Sequence, residues 1–177
     1  MASALSARLL AAGIRIEHEF AAGDLGKLVL IHGIQNARDY GFNAVHEAYC
    51  ARIAGDYLID GGGARGRFWL AKRGDDVVGS VLIIETPDNR AQLRILFVDD
   101  AVRGLGLGRW LVEDAVRYCR EAGFDALFLW TVEGLERALA VYRAVGFELA
   151  ETKHNDDWGR RSTELRYELT FKAMPAR

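Results

Sequence analysis

Residues 103–109, Arg-Gly-Leu-Gly-Leu-Gly-Arg, alternate three glycines with leucines between two cations. The run follows the apolar stretch 93–98 and opens onto an amphipathic segment that begins near Leu107. A strand, a tight glycine turn and a helix start together present backbone N–H groups to one point, and the helix dipole adds positive potential there. Chemically this is a cradle for a phosphate. The spacing departs from the G-x-G-x-x-G of dinucleotide sites, and no P-loop Lys-Ser/Thr pair follows. Arg103 and Arg109 are instead suited to meet phosphate oxygens at the mouth of the cradle. The same residues also read as a plain strand-to-helix turn that needs small side chains.

Arg103-x-x-Gly106-x-Gly108 resembles the acyl-coenzyme-A signature, Gln/Arg-x-x-Gly-x-Gly/Ala, of the GNAT superfamily of N-acetyltransferases. Ala138-x-x-x-Tyr142-x-x-x-Gly146-Phe147 resembles the second conserved block of that superfamily. The stretch 93–130 is most similar to the acetyltransferase module fused behind MarR-type regulators in some bacterial proteins, here without the regulator. The resemblance runs from about Ile14 to Phe171. It implies acetyl-CoA as cosubstrate, with its pyrophosphate on the amides of Gly104, Leu105, Gly106, Leu107, Gly108 and Arg109. It also implies Tyr142 as general acid and coenzyme contact. One position departs: Leu135 stands three residues before Ala138, where many members carry an Asn that orients the coenzyme or the turn.

Acyl transfer to nitrogen needs a neutral amine, a polarised thioester carbonyl and a proton for the departing thiolate. A phosphate on the cradle lets an extended pantetheine arm run back beside Phe97 and Val98. Their side chains read as core, and their backbone would pair with the arm. The amide near Val98 is then the donor to the carbonyl. A phenol near pKa 10 can donate to a thiolate whose thiol titrates near about 8.5; by periodicity alone, Tyr142 is a packed core tyrosine. Glu85, at a strand end, and Asp88, in the following turn, are the candidate general bases, and each also reads as a solvated strand-end carboxylate. Arg94 is expected on the opposite side of its strand from Leu93 and Ile95, meeting either a substrate carboxylate or Glu85.

His32, Tyr40, His46 and Tyr49 fall on two early helices, which in the resembled family cover the acceptor. His154 and Trp158 fall in a late polar loop. Together they are expected to bound a closed pocket for a small polar amine or amino acid. The four histidines lack compact ligand spacing, so no metal is expected.

The elements that must position these groups read from periodicity. Strands are expected at 13–17, 67–72, 77–85, 93–98, 127–130, 147–151 and 164–171. Helices are expected at 24–38 with Asp24 as N-cap, and at 42–59, 105–121 and 135–145. The order β-α-α-β-β-β-α-β-α-β-β predicts an α/β (α+β) fold, a curved and mostly antiparallel mixed sheet flanked by helices. The resemblance implies the same order, with a slot between the fourth and fifth strands. Residues 13–173 read as a single N-acetyltransferase domain behind a flexible or helical end at 1–12.

With 177 residues and 50% of them apolar, the chain can bury a sizeable core. A net charge of -2 gives no basic stripe for nucleic acid, and no segment has transmembrane character. Cys50 and Cys119 lie in apolar helical patterns and read as buried thiols of a reducing compartment. The expectation is a cytoplasmic bacterial enzyme, monomer or homodimer, that moves acetyl from acetyl-CoA to the primary amine of a small metabolite or amino acid. A non-catalytic acyl-CoA-binding or ligand-sensing module, or a protein N-acetyltransferase, are the alternatives.

Overall fold

Phe68-Trp69-Leu70-Ala71 and the run from Val77 to Ile83 are buried without alternation, the pattern of strands covered on both faces. The computed structural model, which describes residues 2–155 and 161–171, bears this out. Seven strands form one sheet: β1 (Ile14–Glu17), β2 (Arg67–Arg73), β3 (Asp76–Thr86), β4 (Arg90–Val98), β5 (Ala126–Val132), β6 (Glu148–Asn155) and β7 (Ser162–Thr170). Their spatial order is β1-β2-β3-β4-β5-β7-β6, and only the β4–β5 pair is parallel. On one face, α1 (Ala2–Ala11), α4 (Leu107–Glu121) and α5 (Glu136–Val145) close the larger core, around Leu111, Leu127, Leu129 and Leu139. On the other, α2 (Asp24–Tyr40) and α3 (Ala44–Asp60) close a smaller core around Leu28, Phe68, Leu70 and Leu82. No described helix is long and apolar enough to cross a membrane.

β4 and β5 pair only from Arg90↔Ala126 to Leu93↔Leu129. Beyond that point each follows its outer neighbour: β4 stays with β3 as far as Gly79↔Val98, and β5 stays with β7 as far as Val132↔Glu164. The sheet therefore splays between β4 and β5, where the slot was expected. A bulge on β4 accompanies the splay. Ser80 faces Phe97 and Leu82 faces Arg94, so β4 carries one extra residue there. Ile95 takes φ 49, a left-handed conformation costly for a β-branched residue. The Ser80 hydroxyl donates to its carbonyl at 2.7 Å, helping to hold it.

Two local expectations are corrected. Gly23, not Asp24, is the N-cap of α2. The Asp24 carboxylate is 2% exposed and accepts from Ala21 N at 2.8 Å and from Lys72 Nζ at 3.1 Å, tying α2 to β2. The late strands are also longer than apolar patterning indicates. His154 lies on β6 opposite Thr163, not in a loop, because pairing at a sheet edge needs backbone groups and not apolar side chains.

Leu129 is fully buried at the last rung of β4–β5 pairing. Leu129→Ala should cost about 2–5 kcal/mol, as cavity-forming truncations do. It should be read as a lower urea midpoint with an unchanged slope.

Candidate active site

The turn between β4 and α4 forms as its composition requires. Gly104 and Gly106 take φ 79 and 89, and Gly106 caps α4. The first intrahelical bond runs from Trp110 N to the Gly106 carbonyl, so the N–H groups of the preceding turn have no helical acceptor. A Cβ placed on Gly104 would meet nothing within 4 Å, so this side of the turn is open. A cavity of about 580 Å³ lies against it, bordered by Phe97, Val98, Arg103, Gly104, Gly106, Leu107, Gly108 and Arg109. Leu105 packs on the core instead. The donor set, the open turn and the unpaired edge of β4 fit a pyrophosphate and an extended arm.

The cations at this mouth are already engaged. Arg103 binds Asp39 at 3.2 Å and also pairs with Asp100, and Arg109 Nε donates to Glu113 at 2.7 Å. Arg137, from the first turn of α5, borders the cavity from the opposite wall. The sequence reading missed it, although it directly precedes Ala138 of the second block. Tyr40 borders this cavity and not the acceptor side. Gln35 donates to the Val98 carbonyl at 3.1 Å, so part of the expected backbone edge is taken by α2.

A second cavity, of about 840 Å³, opens on the other side of the slot, bordered by His32, His46, Tyr49, Arg94 and Tyr142. His32, Asn36, Leu96, Leu135 and Ala138 border both cavities, which therefore meet. Leu135, which replaces the family's frequent Asn, is an apolar wall at that junction. Leu93, Arg94, Ile95 and Leu96 all border this cavity; Leu93 and Leu96 pack on the larger core and Ile95, after the bulge, on the smaller one. Arg94 donates to the Tyr49 hydroxyl at 2.6 Å and to Gln92 Oε1 at 3.2 Å.

Burial sets the protonation states. Tyr142 is 4% exposed, and desolvation pushes its phenol well above the ordinary range. Desolvation first, and then the His46 charge, push the His32 imidazole down to about 3; desolvation takes His46 to about 4. The His32 ring lies edge-on to Phe97 at 5.3 Å, and its buried Nδ1 has no hydrogen-bond partner among the described residues. Cys50 Sγ sits 3.9 Å from both His46 ring nitrogens, and burial raises its thiol to about 12. Among the described residues no cluster of three metal-ligating side chains occurs.

Glu85 and Asp88 border neither cavity. Glu85 pairs with Ala91 across the β3–β4 hairpin, at the closed end of the sheet. Arg65 holds its carboxylate through the backbone N–H at 3.1 Å and the guanidinium, which lowers its pKa. The Thr86 hydroxyl donates to Asp88 at 2.6 Å with the same sign of effect. Both candidate bases are thus corrected to hairpin-stabilising residues, and of the two partners considered for Arg94, Glu85 is taken by Arg65. His154, exposed on β6, also borders neither cavity. Trp158 lies outside the described residues. The acceptor cavity's own unanticipated groups are Trp130, Lys153 and Glu164, which come from strands adjacent only in the folded sheet.

Residues 39–147 match the model of the Acetyltransferase (GNAT) family. The chain belongs to that family. N-acetyltransferase family 8 member 2 of Rattus norvegicus is 33% identical over 107 residues, 58% of this chain and 46% of the relative. The chain thus spans about half the length of that curated relative. An acetyltransferase of the GNAT family from Staphylococcus aureus superimposes with a TM-score of 0.73 at 21% identity, covering 90% of this chain and 99% of that one. A Bacillus subtilis acetyltransferase crystallised in complex with CoA gives 0.65 at 20% identity, with 90% and 99% covered. These two likenesses establish the GNAT fold.

The buried imidazoles carry a testable consequence. Their folded pKa values lie below the ordinary 6.5, so the unfolded chain takes up protons that the folded chain refuses. Stability should fall as pH drops from about 6.5 toward 4, by up to about 1.4 kcal/mol per pH unit for each proton. Urea midpoints at pH 7, 6 and 5 should show this slope, and His32→Gln combined with His46→Gln should flatten it.

Proposed function

We propose that this chain transfers the acetyl group of acetyl-CoA to the primary amine of a small molecule by direct attack in a ternary complex. The meeting of the two cavities, one floored by the phosphate cradle and the other bordered by Tyr142, carries this reading. Family membership supports it, as does the CoA complex of the Bacillus subtilis neighbour. Acetyl-CoA supplies an acetyl group activated as a thioester. The amides at the start of α4 hold the pyrophosphate charge. The unpaired edge of β4 beyond Leu93 receives the pantetheine arm.

Residues freed from the ladder by the bulge at Ile95 supply the N–H that polarises the carbonyl, in place of the amide near Val98. The amine nitrogen bonds to the carbonyl carbon as the carbon–sulfur bond breaks, and the Tyr142 hydroxyl gives its proton to the sulfur. Burial keeps that hydroxyl protonated at every physiological pH. Glu164, the one carboxylate bordering the acceptor cavity among the described residues, is bound to Lys153 at 2.9 Å. The amine's proton therefore leaves through water, and Tyr142 regains a proton by the same route before the next turnover. His32, held neutral at the junction, is a positioning residue for the amine. Confining both reactants there supplies several kcal/mol of the barrier reduction, to an order of magnitude.

Tyr142→Phe preserves the packed ring against Phe147 and Tyr167 and deletes the proton donor. It should lower kcat by roughly 10²- to 10⁴-fold, read as acetyl-CoA-dependent thiol release across a panel of small amines, while calorimetric CoA affinity persists. A variant with wild-type kcat under chemistry-limited conditions would assign Tyr142 to packing alone.

A further inference from the structure

The acceptor cavity reverses the charge of the molecule around it. The chain carries a formal charge of -2, yet the charged side chains bordering this cavity are Arg52, Arg94, Lys153 and Glu164. Lys153 and Glu164 cancel each other in their ion pair. Arg52 and Arg94 remain, and among the described residues no carboxylate pairs with either of them. Among the described residues bordering the cavity no other charge offsets them, and the neutral His32 and His46 add none.

The two guanidiniums flank one tyrosine. Arg94 Cζ lies 5.3 Å and Arg52 Cζ 5.5 Å from the centre of the Tyr49 ring. Arg94 is partly buried on β4 and is oriented by its bonds to the Tyr49 hydroxyl and Gln92. Those bonds use two of its five N–H donors, which leaves the rest of a planar fork. Arg94, half-buried, and Arg52, exposed beside it, have no counter-charge in the wall among the described residues, and an anion brought in by the ligand supplies one. A planar fork matches a carboxylate in particular.

We infer that the acceptor is a carboxylate-bearing amine, an α-amino acid or a close relative, whose carboxylate is held by Arg94 with Arg52 beside it while its amine faces the cavity junction. This rests on the acetyl-transfer reading above for the fate of the amine. Arg94 and Leu96 are two residues apart across the bulge, at most about 7 Å of backbone, so a single small molecule can span from the guanidinium to the junction. Phe42, Ile53 and Trp130 border the same cavity and suit an apolar side chain.

The test uses L-leucine, L-phenylalanine and L-methionine, each against its primary amide, in thiol-release assays at saturating acetyl-CoA. An amino-acid amide has the less basic amine, so chemistry alone favours the amide. The acids should nevertheless lead in kcat/KM by at least about tenfold, a ratio typical of one charge-assisted contact. Arg94→Gln should abolish that lead through KM, and Arg94→Lys should restore part of it. In a second arm, N-acetyl-L-leucine and its amide are titrated calorimetrically into protein saturated with CoA. The acid should bind at least about tenfold more tightly, and Arg94→Gln should remove the difference. Acid binding that depends on Arg94, with no amine releasing CoA, would uphold the carboxylate site and refute the transfer reading. Turnover with equal preference for acids and amides would overturn the carboxylate site and leave transfer standing. Failure of every acid in both arms also overturns it.

Discussion

The structure depends on the loss of β4–β5 pairing after Leu93 and Leu129. A strand edge must place its N–H and C=O groups somewhere, because a buried unpaired backbone group costs as much as a lost hydrogen bond. β5 resolves this by staying with β7, and β4 by staying with β3. The inner edge of β4 is then left facing a cleft in the middle of the sheet. The slot is held open because each diverging strand is better paired to its outer neighbour. α4 begins just beyond the open edge, which sets the N–H cradle at one mouth of the cleft. Tyr142 of α5 borders the other side.

Desolvation then organises the electrostatics. The same burial that keeps the Tyr142 phenol protonated keeps His32 and His46 uncharged, so the acceptor wall gains no positive charge from histidine near neutral pH. What positive charge it has comes from arginines, whose charge burial of this degree does not remove. At the coenzyme mouth the balance differs. Arg103 and Arg109 are compensated by Asp39, Asp100 and Glu113. On the proposed reading, anion affinity there rests on backbone N–H groups and the helix end, and a bound phosphate would compete with carboxylates for the side chains. One side of the slot thus offers dipoles, and the other offers guanidiniums with no paired carboxylate among the described residues.

The sequence by itself determined the local features. Glycines at 104 and 106 are required by positive φ at the turn. Apolar stretches around the turn at 73–76 marked β2 and β3 as paired strands, and the apolar face of α5 with Gly146 at its end was legible in residue spacing. Element order carried the topology, and the two glycine-containing blocks carried the family. Those properties are encoded in residues close together in the chain, where dihedral preference and periodicity act directly.

Tertiary structure alone decided which chemical groups meet. Glu85 and Asp88 sit near the end of a strand that sequence spacing brought beside the cleft, but the hairpin carries them to the closed end of the sheet, where Arg65 and Thr86 bind them. Arg94 borders the acceptor cavity just before the bulge at Ile95, which puts Ile95 against the smaller core and not the larger one with Leu93. Arg137, Trp130, Lys153 and Glu164 reach the slot from α5, β5, β6 and β7, whose adjacency is a property of sheet order. Cavity walls are assembled from distant segments, and desolvation depends on everything packed around a group. Neither is written in local spacing, so the sequence specified the scaffold and the phosphate cradle while packing selected the acceptor wall and its charge.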